Sequence, residues 1–282
     1  MGEKNRTDCA ILVAGFGTSF PEARKAGIDP LVKRIGEAFP GCETRLAYTS
    51  PTIVRKLKAL EGEAVESVAD AFEALHQDGY HEVIVQPLHV VPGLEFKKLM
   101  QLVRRNKTRF GRVSVGRPLL YFSRGEDLPD DYRAVVEAMV PALPDSGSNR
   151  AVLMMSHGTP DPANACYAFL ERTIHEAGHK QIYLASVEGA PYFDDVLPVL
   201  CREKPEEVTL LPFMVVAGDH ARNDMSGPGP NSWESRLKAK GMAVQTLLTG
   251  LGENPAIGGI YAAHALDAAA GRYEHYLEYD LD

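Results

Sequence analysis

The chain has 282 residues, 45% of them apolar and 24% charged, a balance typical of globular proteins and unlike a disordered or fibrous chain. The formal charge of −8 is spread along the sequence, which argues against a duplex-binding surface and a polybasic membrane patch. No apolar run reaches the ~18 residues of a membrane-spanning helix, so neither nucleic acid nor membrane is an expected partner.

In chain order, CAILVAGFGTS predicts a strand and turn, residues 22–38 a helix, and ETRLAYTS a strand. Helices follow at 51–60 and 64–78, then EVIVQPLHVV as strand and loop, a helix at 94–106 and RVSVGRPLL as a strand. The second half repeats this order. NRAVLMMSHGTP, QIYLASVEG, EVTLLPFMVVAGDH and MAVQTLLTGLG are its strands, with helices at 161–177, 191–203, 231–240 and 255–270. Short Val/Ile/Leu-rich strands alternating with amphipathic helices predict an α/β fold of two similar doubly wound parallel-sheet domains, with an interdomain cleft. LPDSGSNR at 143–150 reads as the linker, dividing the chain into 1–142 and 143–282, with the final helix free to pack back on the first domain.

The terminus MGEKNRTDCA lacks the apolar length and cleavage pattern of an export signal, so a cytoplasmic protein is expected. Cysteines stand at 9, 42, 166 and 201, never as Cys-x-x-Cys. Reduced thiols are the expectation, with Cys166 and Cys201 as small buried apolar groups.

The halves correspond residue by residue. AGFGTS at 14–19 parallels MSHGTP at 155–160, setting Phe16 opposite His157. LAYTS and LASVE set Ser50 opposite Glu188, while QPLHVVPGLE and LPFMVVAGDH set Glu95 opposite His220 and His89 opposite Met214. Such a repeat is an internal control. Structural roles survive in both copies, as Gly17 and Gly158 do in a tight turn, whereas His157, Glu188 and His220 occur in the second copy only.

These three residues follow successive strands of the second half. In an open parallel sheet they share the carboxyl rim, where two imidazoles and a carboxylate suit a divalent cation and leave positions for substrate. Blander roles stay open. His157 can bond to backbone, Glu188 can sit at a helix start, His220 can be a loop residue, and Asp219, Arg222 and Asp224 can bond to one another. His89, on the rim of the first half, is either a packed histidine or a proton acceptor facing the trio. Neither GFGTSF nor SHGTPD matches a phosphate-loop or dinucleotide fingerprint, so no nucleotide is expected. The amides of Gly17, Thr18 and Ser19 suit an anion, and Arg55, Lys56, Arg117 and Arg222 suit carboxylate arms.

With AGFGTSF, TSPTIVRKL, QPLHVVPGLE, SHGTPD, VEGAP, AGDHARNDM and LGENPAI in this order, the chain resembles the anaerobic-pathway sirohydrochlorin cobaltochelatases, a family of class II chelatases, over nearly residues 8–270. The resemblance implies a chelatase-like fold that holds a tetrapyrrole in its cleft. It also implies Co²⁺ insertion into sirohydrochlorin during cobalamin synthesis, without ATP or a helper subunit, by a homo-oligomer. The family's metal-site histidines fall on His157 and His220, and its carboxylate on Glu188. Iron insertion for siroheme is the near alternative. Haem binding, known in some relatives, has no independent support in the residues. A metallohydrolase, a solute-binding module and a metal-storage protein are the competing readings from other classes.

Overall fold

The computed structural model describes residues 8–60, 65–144 and 149–278. It contains two compact units, one built from the chain up to Tyr121 together with the segment from Gly258 onward, the other from Phe122–Ile257. The first holds a five-stranded sheet of β1 (Cys9–Gly15), β2 (Glu43–Tyr48), β3 (Glu66–Ser67), β4 (Glu82–Pro87) and β5 (Arg112–Val115), in the order β3-β2-β1-β4-β5. The second holds β6 (Arg150–Gly158), β7 (Ile182–Glu188), β8 (Glu207–Phe213) and β9 (Ala243–Thr246), in the order β7-β6-β8-β9. Every pairing within both sheets is parallel.

Burial follows position in the sheet. The central strands β1 and β6, covered on both faces, are almost continuously buried and read as the apolar runs CAILVAG and RAVLMMSHG. The edge strand β9 alternates exposed and half-buried residues, the period of a strand wet on one face. Each unit has its own core. In the first, Leu12, Phe72, Val85, Phe96 and Leu99 pack together, and in the second Leu153, Leu200, Leu210, Ala221 and Leu237 do so.

The order of strands reverses direction once in each sheet. In the second, the chain goes from β6 outward to β7 and then crosses to β8 on the other side of β6. A crevice at the carboxyl ends of two such neighbouring strands is where open α/β sheets take ligands.

Several expectations need correction. The compact units divide at Tyr121/Phe122, ahead of the expected boundary at 142/143. An unforeseen helix, Asp131–Met139, lies in between and packs on the helix Ala165–Glu176, with Tyr132 and Phe169 meeting edge to face at 4.7 Å. Of the expected linker 143–150, residues 145–148 lie outside the described residues. The helix Pro255–Ala269 contributes to the first unit through Tyr261, whose hydroxyl donates to the Leu88 carbonyl at 3.1 Å.

Cys9 and Cys42, expected as thiols, form a disulfide with a Cα–Cα distance of 5.0 Å. The register explains the meeting. Ala10 pairs with Glu43, so the residues one step earlier on each chain lie side by side. Cys166 and Cys201 are free and half-buried. Among the described residues, no helix is long and apolar enough to cross a membrane.

Candidate metal site

His157 is the penultimate residue of β6, and His220 lies beyond β8, so both flank the reversal point of the second sheet. Their rings meet edge to face with centroids 5.0 Å apart. Two imidazoles bound to one first-row cation at about 2.0–2.1 Å per nitrogen place their centroids roughly 4.5–5.3 Å apart, so the observed separation suits a shared ion.

Proton placement follows from the partners. Nδ1 of His157 lies 3.1 Å from the Gly158 carbonyl, which can only accept, so Nδ1 carries the proton of the neutral ring. Nδ1 of His220 lies 2.6 Å from Asp224 Oδ2, again an acceptor. In its neutral form each ring then has the lone pair on Nε2, the form in which histidine binds metals.

The turns that carry these side chains are tightly constrained. Gly158 has φ +79°, and a Cβ there would lie 1.6 Å from the Glu188 carbonyl oxygen. No side chain fits between β6 and the end of β7. Just before, Ser156 and Ser186 are buried and share a 2.7 Å hydroxyl contact. Asn164, which the sequence reading passed over, clamps the same region. Its Oδ1 accepts from the Thr159 amide at 2.9 Å, and its Nδ2 donates to the Ala190 carbonyl. The turn that follows Glu188 is thus tied to the turn that follows His157. On the other side, the exit from β8 is held by the LGE segment, where Leu251 and Gly252 donate to the Met214 and Val215 carbonyls at 2.8 and 3.0 Å.

Glu188 pairs in register with Gly158 and is exposed. Among the described residues no three His, Cys, Asp or Glu side chains form a group able to hold a metal ion. The structure therefore brings the two histidines together and sets Glu188 at the adjoining strand end without closing the triad. A solvated glutamate with no packing to fix its torsions has nothing to aim it.

The first copy shows what the same positions do without this chemistry. Phe16 is exposed, Ser50 caps the helix Pro51–Ala59 by accepting from the Ile53 amide, and Glu95 pairs with Lys98 at 2.6 Å. None of the three is a metal-ligating set.

The other candidates separate cleanly. His89 is 9% exposed, its ring packs edge to face on Phe96 at 6.3 Å, and neither ring nitrogen has a hydrogen-bond partner. Burial depresses its pKa to about 4. It is a neutral packed histidine, and the proton-accepting role is corrected on that ground. Arg117 is also reassigned. It is buried and ion-paired with Asp267 at 2.7 Å, with its guanidinium 5.3 Å from the Tyr273 ring centre. Such an arginine fastens the helix Pro255–Ala269 to the exit of β5 and is not open to a substrate carboxylate.

Arg55 and Arg222 are exposed, with Arg222 Nε 3.4 Å from the Ala217 carbonyl. Gly17 has φ +98°, and a Cβ there would strike the Tyr48 ring at 2.4 Å. Thr18 is buried with its hydroxyl accepting from the Phe20 amide at 3.1 Å, and Ser19 is half-buried. Asp219 accepts from Asn223 at 3.0 Å, leaving Asp224 for the imidazole.

Two parallel doubly wound sheets of this kind form a chelatase-like fold. SirB from Bacillus subtilis with Fe³⁺ aligns with a TM-score of 0.62 at 16% identity, covering 97% of this chain and 99% of that one. The sirohydrochlorin chelatase SirB from Bacillus subtilis subspecies spizizenii, in complex with cobalt, aligns at 0.58 and 14% identity, covering 93% and 96%. Sequence narrows the class to one family. Residues 9–270 match the family described as Cobalt chelatase (CbiK), and the chain belongs to it. Sirohydrochlorin cobaltochelatase of Salmonella typhimurium is 33% identical over 255 residues, 90% of this chain and 94% of that protein. Sirohydrochlorin cobaltochelatase CbiKC of Nitratidesulfovibrio vulgaris is 31% identical over 267 residues, 94% and 92%.

Proposed function

We infer that this protein is a sirohydrochlorin cobaltochelatase, inserting Co²⁺ into the macrocycle for cobalamin biosynthesis, with His157 and His220 as the nitrogen donors that deliver the ion and Glu188 as the third donor. The observation that carries the site assignment is the 5.0 Å histidine pair at the switch point of the second sheet, with Nδ1 of each ring facing a hydrogen-bond acceptor. Membership of the cobalt chelatase family supports the substrate.

Insertion exchanges protein and water ligands for pyrrole nitrogens and releases two protons. The two imidazoles bind the cation without adding charge, which favours its departure to a dianionic ring. Glu188, exposed at the end of the strand paired with that of His157, takes a proton or passes it to water. A carboxylate arm of the macrocycle is matched by the exposed Arg222 in the loop of His220. Imidazole and carboxylate bind Co²⁺, Fe²⁺ and Ni²⁺ alike, and intrinsic affinity does not favour cobalt over nickel. Fe²⁺ insertion is therefore the alternative reading of the same site, and cobalt preference comes from geometry and supply. A homo-oligomer is the working form.

The test is anaerobic mixing of purified protein, sirohydrochlorin and each metal, followed by absorbance. Acceleration of Co²⁺ insertion over the uncatalysed rate supports the function. A spectrum that changes only stoichiometrically on binding, without metallated product, overturns it.

A further inference from the structure

We propose that Asp224 is a positioning residue that fixes the tautomer and ring plane of His220, so that this histidine meets the metal through Nε2. The inference rests on the reading of His157 and His220 as metal donors and deepens it.

His220 leads into a π-helical turn, Ala221–Met225. Ala221 and Met225, four apart, are both fully buried in the core of the second unit and anchor one face of the turn. The pairs that precede them by one residue, His220 with Asp224, and by two, Asp219 with Asn223, are joined by side-chain hydrogen bonds of 2.6 and 3.0 Å. The backbone closes the turn through the Arg222 amide on the Gly218 carbonyl at 3.2 Å and the Gly227 amide on the Asn223 carbonyl at 3.1 Å. Asp224 is thus set on a rigid frame, facing Nδ1 of a half-buried imidazole that meets His157 edge to face.

The chemistry follows from the acceptor. A neutral histidine side chain in water favours the Nε2–H form, which places its proton on the nitrogen the cation needs. A carboxylate on Nδ1 reverses that preference and raises the basicity of Nε2. His157 receives the same tautomer from a backbone carbonyl, which no substitution removes. His220 receives it from a side chain, Asp224, which mutation can reach.

The experiment compares wild type, D224A, D224N, D219A and H220A. Co²⁺ affinity is measured by competition with a chromophoric chelator, and the His220 tautomer by long-range ¹⁵N–¹H correlation in the metal-free protein. D224A is expected to weaken Co²⁺ binding by about 10- to 100-fold and to shift His220 toward Nε2–H. D224N, whose amide oxygen still accepts, restores affinity to within a few-fold. D219A, which breaks the neighbouring pair on the same turn, leaves affinity unchanged. In turnover the D224A effect falls on KM for Co²⁺ more than on kcat. If H220A weakens binding while D224A binds as wild type, or if D224N is as weak as D224A, the positioning role is overturned and the metal site stands. Wild-type affinity in H220A overturns the metal-site reading and this inference with it.

Discussion

Gly158 and Glu188 stand in register on neighbouring strands, so close that a methyl group on Gly158 would lie 1.6 Å from the Glu188 carbonyl oxygen. This contact sets the spacing between the two turns that bear His157 and Glu188. G158A therefore combines backbone strain at φ +79°, costing about 1–2 kcal/mol, with displacement of the site. Misplacement by an ångström is worth on the order of 100-fold in rate. Gly178 supplies the control, since its φ is +101° but a Cβ there meets nothing within 4 Å. G178A is expected to lower the melting temperature while insertion rates hold, and G158A to lose both. Equal rates in the two variants would show that the contact does not order the site.

Acid should act on the first unit through His89. Its pKa is lowered by burial from 6.5 to about 4, so the unfolded chain binds the extra proton between those values and the folded protein does not. Stability from this group is complete above pH 6.5 and falls as the pH drops toward 4, by about 3 kcal/mol in all. H89L removes the titrating group. Urea denaturation across pH 4–7 should show a shallower loss for H89L than for wild type, and parallel curves would contradict the assignment.

Reduction of the disulfide tests a different part of the fold. Cys9 and Cys42 are separated by 33 residues, and a loop of that length corresponds to about 3–4 kcal/mol of unfolded-state entropy. A double substitution to serine should lower unfolding stability by up to this amount. Both residues lie at the amino ends of β1 and β2 in the first unit, so Co²⁺ affinity should not change. Identical denaturation midpoints with and without reductant would show that the link contributes nothing.

The Arg117–Asp267 pair distinguishes a structural arginine from a substrate-binding one. Loss of one partner from a buried pair costs about 3–5 kcal/mol. R117M is expected to destabilise the first unit strongly, whereas KM for sirohydrochlorin in the surviving folded protein stays near wild type. The exposed Arg222 shows the opposite pattern, with R222M raising KM at unchanged stability. A raised KM in R117M alone would reverse the two roles.

Much of this organisation is legible in the residues. Continuous apolar runs such as CAILVAG and RAVLMMSHG could only be central parallel strands, and the internal repeat separated shared turn glycines from histidines found in one copy. What escaped had no local signal. The pairing of Cys9 with Cys42 depends on strand register across 33 residues. The burial of Arg117 depends on Asp267, 150 positions away. The helix Asp131–Met139 follows a Pro- and Gly-containing stretch that reads as loop, and long-range contacts such as that of Tyr132 with Phe169 tie it to the second unit. Asp224 was visible as one of several polar residues, but which of them would reach His220 depended on the wider π turn.

The most direct measurement of the central claim is the initial rate of Co²⁺ insertion into sirohydrochlorin by H157A, H220A and E188Q under anaerobic conditions, with circular dichroism to establish folding. Both histidine variants should fold and fall to nearly the uncatalysed rate, and E188Q should lose a substantial part of the activity. More than half the wild-type rate in either histidine variant would contradict the assignment of that residue, and in both would remove the metal site from the second sheet.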